Sequence, residues 1–252
     1  MALTVINLER SQARLAAFAA RNRHVREISR FAAIDGQTLD VPTLVRNGLI
    51  EPAIADLYSK GALGCAFSHL ALWDQVIQSG APRTICEDDG IANRHFDAGV
   101  AAVMALLPGD WDFVLWGWNA DHSLLFDMLP GASPCLAICQ NALLVDGAHR
   151  FQELALRPRP FPLMRAIGTV CYSISPAGAR KLKPFCLPIR DMVVRFPLPA
   201  REGEPAEGFV SRNNGIDIML NEAYARIKAF VSVPPLVITE NDQGASTVRG
   251  KA

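Results

Sequence analysis

The chain has 252 residues, half of them apolar, with 25 acidic and 25 basic side chains and no formal net charge. That apolar share fills the core of one large domain and excludes a disordered chain. The balanced charge excludes an overall field that draws a protein to nucleic acid or to an anionic membrane, so an anionic ligand has to be met by local basic groups.

Residues 3–8 alternate as a strand, and Ser11 opens a helix to about Asn22 with Leu15 and Phe18 on its buried side. The turn between them, Asn7-Leu8-Glu9-Arg10-Ser11, is a strand-to-helix junction, where α/β sheets bind ligands and helix N-termini favour phosphate. Arg10 and Arg14 could add charge there, or be ordinary solvated helix residues. Residues 25–31 read as a second strand closed by Ala33-Ile34-Asp35-Gly36, a turn whose Asp35 could accept from a ribose hydroxyl but needs no ligand to exist. Short helices punctuated by Pro42, Gly48 and Pro52 follow.

The longest helical pattern comes next, carried by Leu63, Ala66, Phe67, Leu70, Trp73, Val76 and Ile77, with Gly80 just past its end. Ser68 and His69 are placed on this helix, His69 at the flank of the apolar face. Adjacent helical residues point about 100° apart, so the two do not form a nucleophile and base; a structural or ligand-orienting histidine is the expectation.

This helix feeds Thr84-Ile85-Cys86-Glu87-Asp88-Asp89-Gly90, an apolar strand that stops in three carboxylates and a glycine. Neighbouring like charges raise one another's pKa unless something positive sits among them. A divalent cation answers that need, since hard oxygen ligands suit Mg²⁺ or Mn²⁺. The triplet reads equally well as a solvated turn.

A helix over 97–107 ends at Pro108-Gly109, and residues 111–117 supply another buried strand with Trp116 inside. Alternating strands and helices predict an α/β protein with a mostly parallel sheet covered on both faces. Residues 136–145 read as strand, and the prolines at 158, 160 and 162 predict an extended loop. Residues 169–174 form a strand, with Ser175 as N-cap and Pro176 in the first helical turn. Residues 184–207 read as a long surface loop of the lid or binding kind. Asp217 starts a helix to about Lys228, and the tail 241–252 is expected to be flexible.

The six cysteines (Cys65, Cys86, Cys135, Cys139, Cys171, Cys186) read as reduced core thiols, which predicts a cytoplasmic setting. With no CxxC and no histidine cluster a structural zinc site is not expected. The start of the chain has no leader pattern, and no run reaches the roughly 18 apolar residues of a membrane span.

Several segments together resemble glycosyltransferase family 25, the bacterial lipooligosaccharide galactosyltransferases and collagen galactosyltransferases. They are residues 5–10 with Arg14, Ala33-Ile34-Asp35-Gly36, Gly64-Cys65-Ala66-Phe67-Ser68-His69, Glu87-Asp88-Asp89, Gly168 with 172–175 and Ala179, and Asp217. Ala62 and Gly90 depart from the pattern, which has an acidic residue at the first and an apolar one at the second. Residues 118–167 match nothing in it.

The resemblance implies a GT-A type fold over residues 1–240, with a nucleotide-sugar across the carboxyl ends of a Rossmann-like sheet. It implies a metal-dependent, inverting transfer of galactose or glucose from a UDP-sugar to a glycan or glycolipid acceptor, as in lipopolysaccharide or surface-polysaccharide synthesis. Such an acceptor would bring the protein to the inner membrane as a transient, peripheral visitor. Glu87 and Asp89 would hold Mn²⁺ or Mg²⁺, and Asp88 would support the turn. Asn7, Arg10 and Asp35 would line the nucleotide pocket with Ser68 and His69 beside it, and Asp217 would be the base. Trp116, Trp118 and the prolines from 158 to 162 are candidates for an acceptor surface. The alternatives are a nucleotide-sugar-binding or scaffolding protein of the same fold without turnover, and, last, a metal-dependent phosphoester hydrolase. The hydrolase needs a second ligand cluster, which the five histidines do not form in sequence.

Overall fold

The computed structural model describes residues 2–120, 122–197 and 208–239. Strand β1 (Leu3–Asn7) leads to helix α1 (Gln12–Arg21), and β2 (Ile28–Ala32) is followed by a 3-10 turn over Gly36–Thr38. Two short helices, α2 (Val41–Arg46) and α3 (Ile54–Leu57), precede the long α4 (Lys60–Ser79). Ser59 caps α4 by accepting from the Ala62 N–H, and Gly80 ends it in the left-handed region at φ 67°, where a residue without a Cβ is unstrained.

There follow β3 (Arg83–Glu87), β4 (Gly90–Ala92), α5 (Phe96–Met104), β5 (Phe113–Gly117) and the hairpin of β6 (Leu124–Leu129) with β7 (Ser133–Ala137). Helix α6 (Asn141–Glu153) is succeeded by β8 (Arg159–Ala166), β9 (Cys171–Ile174) and α7 (Pro176–Cys186), the last capped by Ser175. The described chain finishes with β10 (Val193–Pro197), β11 (Gly208–Arg212), α8 (Ile216–Leu220), a 3-10 turn over Tyr224–Arg226, β12 (Ala229–Val233) and β13 (Val237–Thr239).

Nine strands form one sheet in the order β2-β1-β3-β9-β5-β12-β8-β6-β7. β1 runs parallel to β2 and β3, and β5 parallel to β12, while the other five neighbouring pairs are antiparallel. The class is α/β as expected, but the mostly parallel sheet is corrected to a mixed one. β9 inserts between β3 and β5 against the direction of both, and the short β6–β7 turn permits only antiparallel pairing.

Both faces of the centre are covered. Along β5, Phe113 and Leu115 enter a core with Trp73 of α4 and Leu182 of α7, while Val114 and Trp116 enter a second core with Phe18 of α1 and Val103 of α5. A strand buried on both faces is a continuous apolar run, the pattern that residues 113–117 display.

Other expectations are corrected. The proline segment is a strand, because prolines at every second position put all the missing N–H groups on one edge and leave Arg159 and Phe161 free to pair with β12. Residues 133–137 form β7, and helix α6 begins at Asn141 where strand was expected. The first part of the expected 184–207 loop completes α7 and forms β10, whose Val194 and Phe196 are buried. Residues 198–207 and the tail 241–252 lie outside the described residues. Trp118 joins Trp116 in the interior, which removes both from an acceptor surface. All six cysteines are free, but Cys139 is exposed and Cys65 and Cys135 are only partly covered. No helix among the described residues is long and apolar enough to cross a membrane.

One close approach positions the site. The turn after β2 lies on α4 so tightly that a Cβ on Gly64 would stand 2.5 Å from the Ile34 carbonyl oxygen and 2.6 Å from the Gly36 nitrogen. Ser68 staples the same pair, accepting from the Ile34 N–H at 2.8 Å and donating to the Gly64 carbonyl at 2.7 Å. Gly64→Ala is expected to destabilise the protein by about 2 kcal/mol and to lower Tm by roughly 4–8 °C; an unchanged melting curve would show that the turn is not seated on the helix.

Candidate active site

Because β1, β2 and β3 are parallel, residues 8–11, 33–36 and 87–89, which follow them, leave the same edge of the sheet. β9 is antiparallel to β3, so residues 167–170 reach that edge from the other direction, and the Glu87 N–H donates to the Val170 carbonyl at 2.9 Å. These segments border a cleft of about 860 Å³, whose wall includes Arg10, Asp35, Ser68, the triplet Glu87, Asp88 and Asp89, and Asp217.

The triplet is the tight turn from β3 into β4, and its carboxylates meet different surroundings. Asp88 is bound by the Arg14 guanidinium through Nε at 3.0 Å and through a second nitrogen, and by Asn7 Nδ2 at 2.7 Å. Glu87 accepts from Thr169 Oγ1 at 3.0 Å, and its carboxyl is pushed up to about 8 by burial first and by the Asp89 charge second. Asp89 is also raised by burial, against the pull of Arg14 and a hydrogen bond with Thr239, and its Oδ1 is buried with no partner. Asp217, in the first turn of α8, accepts from the Gly168 N–H at 2.9 Å, and burial raises its pKa against that bond.

The remaining sequence-predicted residues divide in two. Arg10 and Asp35 lie on the cleft rim, ion-paired with each other. Asn7 and His69 stand behind the wall, each 1% exposed. Asn7 holds Asp88, and His69 is deep in the core side of α4, not at the flank of its apolar face. Ser68 touches the cleft, but its one proton and one of its lone pairs are committed to the Ile34–Gly64 staple.

Four contributors escaped the sequence reading. Thr169 was seen only as the start of a strand; Thr239 lies on β13, a segment too short to declare itself. Asn119 and His122 line the cleft after β5, and the His122 charge acts on Asp217. The one available signal was the Gly168-Thr169 step ahead of the 171–174 strand. Gly168 has φ 91°, and a Cβ there would fall 2.6 Å from the Asn119 side chain.

The donor set fits a hard divalent cation. Two carboxylates with raised pKa values, one carrying a buried oxygen without a partner among the described residues, are a demand for positive charge that Arg14, hydrogen-bonded to Asp88 and pulling on Asp89, eases without removing. Cys65 Sγ, a His69 ring nitrogen and a Glu87 oxygen also lie within 4.8 Å of one another, which adds softer donors at the rear.

In the metal-free protein Glu87 has a definite pH signature. Its carboxyl rises from the ordinary 4.5 to about 8 on folding, so the protonated form stabilises the fold fully below the lower value, and that contribution is lost as pH climbs through the upper one. Glu87→Gln mimics the protonated form at every pH. Urea midpoints measured in EDTA are expected to show the variant gaining on the parent from about pH 5 to pH 8 and holding a constant lead above; a pH-independent gap would mean that Glu87 ionises as an exposed carboxyl does.

Comparison with known proteins bears on the same residues. Residues 1–129 match the family model described as glycosyltransferase family 25 (LPS biosynthesis protein). The mouse protein named "Inactive glycosyltransferase 25 family member 3" is 28% identical over 163 residues, covering 60% of this chain and 23% of its own length. A rat protein named "Probable inactive glycosyltransferase 25 family member 3" matches to the same degree, over 24% of its length. A protein of Acanthamoeba polyphaga mimivirus, provisionally named a glycosyltransferase, is 28% identical over 125 residues, 47% of this chain and 38% of its own. The chain thus spans about a quarter of the length of the rodent relatives. The stretch matched by the family model is half of the chain and holds β1, the turn at Asp35, α4 with Ser68 and His69, and the acidic triplet; the chain belongs to glycosyltransferase family 25.

Proposed function

We propose that the chain is a metal-dependent, inverting hexosyltransferase that moves galactose or glucose from a UDP-sugar to a glycan or glycolipid acceptor, in the assembly of lipopolysaccharide or another surface polysaccharide. The observation that carries this reading is that the cleft gathers two carboxylates with unmet demand for a cation, Glu87 and Asp89, and a third, Asp217, on a separate helix. That is the division of labour a sugar transfer needs: one group on the leaving diphosphate and another on the incoming hydroxyl.

Glu87 and Asp89 would hold Mn²⁺ or Mg²⁺, which when bound supplies positive charge to the oxygens of the departing nucleoside diphosphate. Asp88, satisfied by Arg14 and Asn7, holds the turn that aims its neighbours. Arg10 and Asp35 border the nucleotide side of the cleft. Asp217 takes the proton of the acceptor hydroxyl as it attacks the anomeric carbon. Its Oδ2 is fixed by the Gly168 N–H, and a Cβ on Gly215 would stand 2.5 Å from its Oδ1, so only glycine fits beside that oxygen. Burial makes this carboxylate a stronger base than an exposed one.

A second reading is a nucleotide-sugar-binding protein of the same fold without turnover. It is favoured by the names of the rodent relatives, which call them inactive, and by the departures at Ala62 and Gly90. Thermal-shift measurements with UDP-, GDP- and CMP-sugars, with and without Mn²⁺, separate the readings when run beside a transfer assay. The expected result is a Mn²⁺-dependent shift with a UDP-sugar that Asp89→Ala abolishes and Asp217→Asn keeps, while Asp217→Asn lowers transfer by about a hundredfold or more. Turnover retained by Asp217→Asn removes it as the base. A Mn²⁺-dependent shift without transfer or hydrolysis of any donor establishes the second reading, and no shift with any nucleotide defeats both.

A further inference from the structure

Behind Glu87 a chain of hydrogen bonds runs through the core. The Trp73 indole N–H donates to the Tyr172 hydroxyl oxygen at 2.8 Å, and the same hydroxyl lies 2.8 Å from His69 Nδ1. Trp73 and Tyr172 are fully buried and His69 is 1% exposed, so bulk water has no part in the proton accounting. An indole nitrogen only donates, so the hydroxyl oxygen is the acceptor in the first bond. Its single proton is left for the second, and among the described residues it has no other acceptor. His69 Nδ1 therefore accepts. A ring whose Nδ1 accepts carries its one proton on Nε2 and is neutral.

Among the described residues Nε2 has no hydrogen-bond partner, and Glu87 Oε1 stands 3.9 Å from it. That is about 1 Å beyond hydrogen-bond reach. Thr169 Oγ1 donates to the same oxygen. The cluster of Cys65, His69 and Glu87 invites a thiophilic metal instead, but a nitrogen that carries a proton cannot ligate. Moving that proton to Nδ1 would leave the Tyr172 proton without an acceptor.

We propose that His69 is a positioning residue for Glu87, its Nε2–H fixed as a donor by Tyr172 and Trp73 and closing onto Oε1 when a divalent cation occupies the cleft. Two neutral donors, His69 and Thr169, then serve one oxygen of the carboxylate and leave the other for the cation. Neutral donors hold the carboxylate in place without cancelling the charge a cation needs; an arginine or lysine at position 69 would compete with it. The assignment rests on the reading of Glu87 as a cation ligand, and the test separates the two.

The first measurement uses the unaltered protein labelled with ¹⁵N-histidine. Imidazole shifts are expected to show His69 protonated on Nε2 and bare at Nδ1, with Tyr172→Phe relaxing that preference and Mg²⁺ with UDP moving the Nε2–H resonance downfield. The second is Mn²⁺ affinity by calorimetry. His69→Leu is expected to weaken it by roughly tenfold to a hundredfold, whereas His69→Gln, which keeps an N–H near the Nε2 position, restores most of it. A ring protonated on Nδ1 overturns the proposal whether or not any variant folds, as does Zn²⁺ binding that is lost in Cys65→Ser. If Glu87→Gln weakens Mn²⁺ and His69→Leu does not, the positioning role alone is wrong. If Glu87→Gln has no effect, or the unaltered protein binds neither Mn²⁺ nor Mg²⁺, both readings fall.

Discussion

The crowding of carboxylates at the end of β3 is the constraint on which the rest of the site depends. Like charges in a half-buried cleft cannot all ionise without compensation, and the chain resolves this differently at each position. Asp88 is neutralised outright by Arg14 and bonded by Asn7. Glu87 leans toward its protonated form, supported by one hydroxyl. Asp89 keeps a hydrogen bond with Thr239 but leaves an oxygen buried and bare. The cluster is thus one satisfied anchor beside two carboxyls left with raised pKa values, the pair that on the proposed reading a cation would serve. A solvated turn has no such asymmetry, because water would serve all three alike.

The sheet makes that asymmetry possible. Parallel strands bring the turns after β1, β2 and β3 to one edge, and the reversed β9 delivers Thr169 to the same place from the opposite side. Tyr172, two residues into β9, then ties this edge to the core. Its ring stacks on Phe113 at 4.9 Å, Phe113 meets Tyr224 at 5.5 Å, and its hydroxyl joins Trp73 and His69. The rear wall of the cleft is therefore the front of the hydrophobic core, and in the Trp73–Tyr172–His69 chain crossing it every polar atom but His69 Nε2 is paired.

How much of this was legible in the sequence depended on whether the signal was local. Strand β1, helix α4 with its Gly80 stop and the acidic turn could be read because their periodicity and end signals lie within a few residues. So could the cap of α7. The proline segment was misread because proline's cost depends on which edge of the strand meets a neighbour, and only the β12 pairing reveals that. Trp118 and His69 were placed too near the surface, since a helix or loop position says nothing about what the far end of the sheet folds over it. Thr239 left no signal and Thr169 only the glycine before it: a hydroxyl beside a carboxylate across two strands leaves no trace in spacing.

The family match and the geometry divide the cleft along the chain. Residues up to 129 supply the strand ends, the Asp35 turn, the triplet and its arginine, and they carry the match. Gly168, Thr169, Asp217, Thr239 and the ribbon of β10 and β11, whose Phe209 and Val210 line the cleft, come from later segments. On the proposed reading the first set meets the nucleotide and the second meets the acceptor. Demands on the two differ physically: a diphosphate with its cation imposes fixed charge at fixed positions, whereas an acceptor hydroxyl needs one base and a surface shaped to whatever carries it. A chain can therefore keep the first half recognisable while the second changes. On that reading activity turns on how the later segments present Asp217, whose Oδ2 the Gly168 N–H holds and beside whose Oδ1 Gly215 leaves out a Cβ.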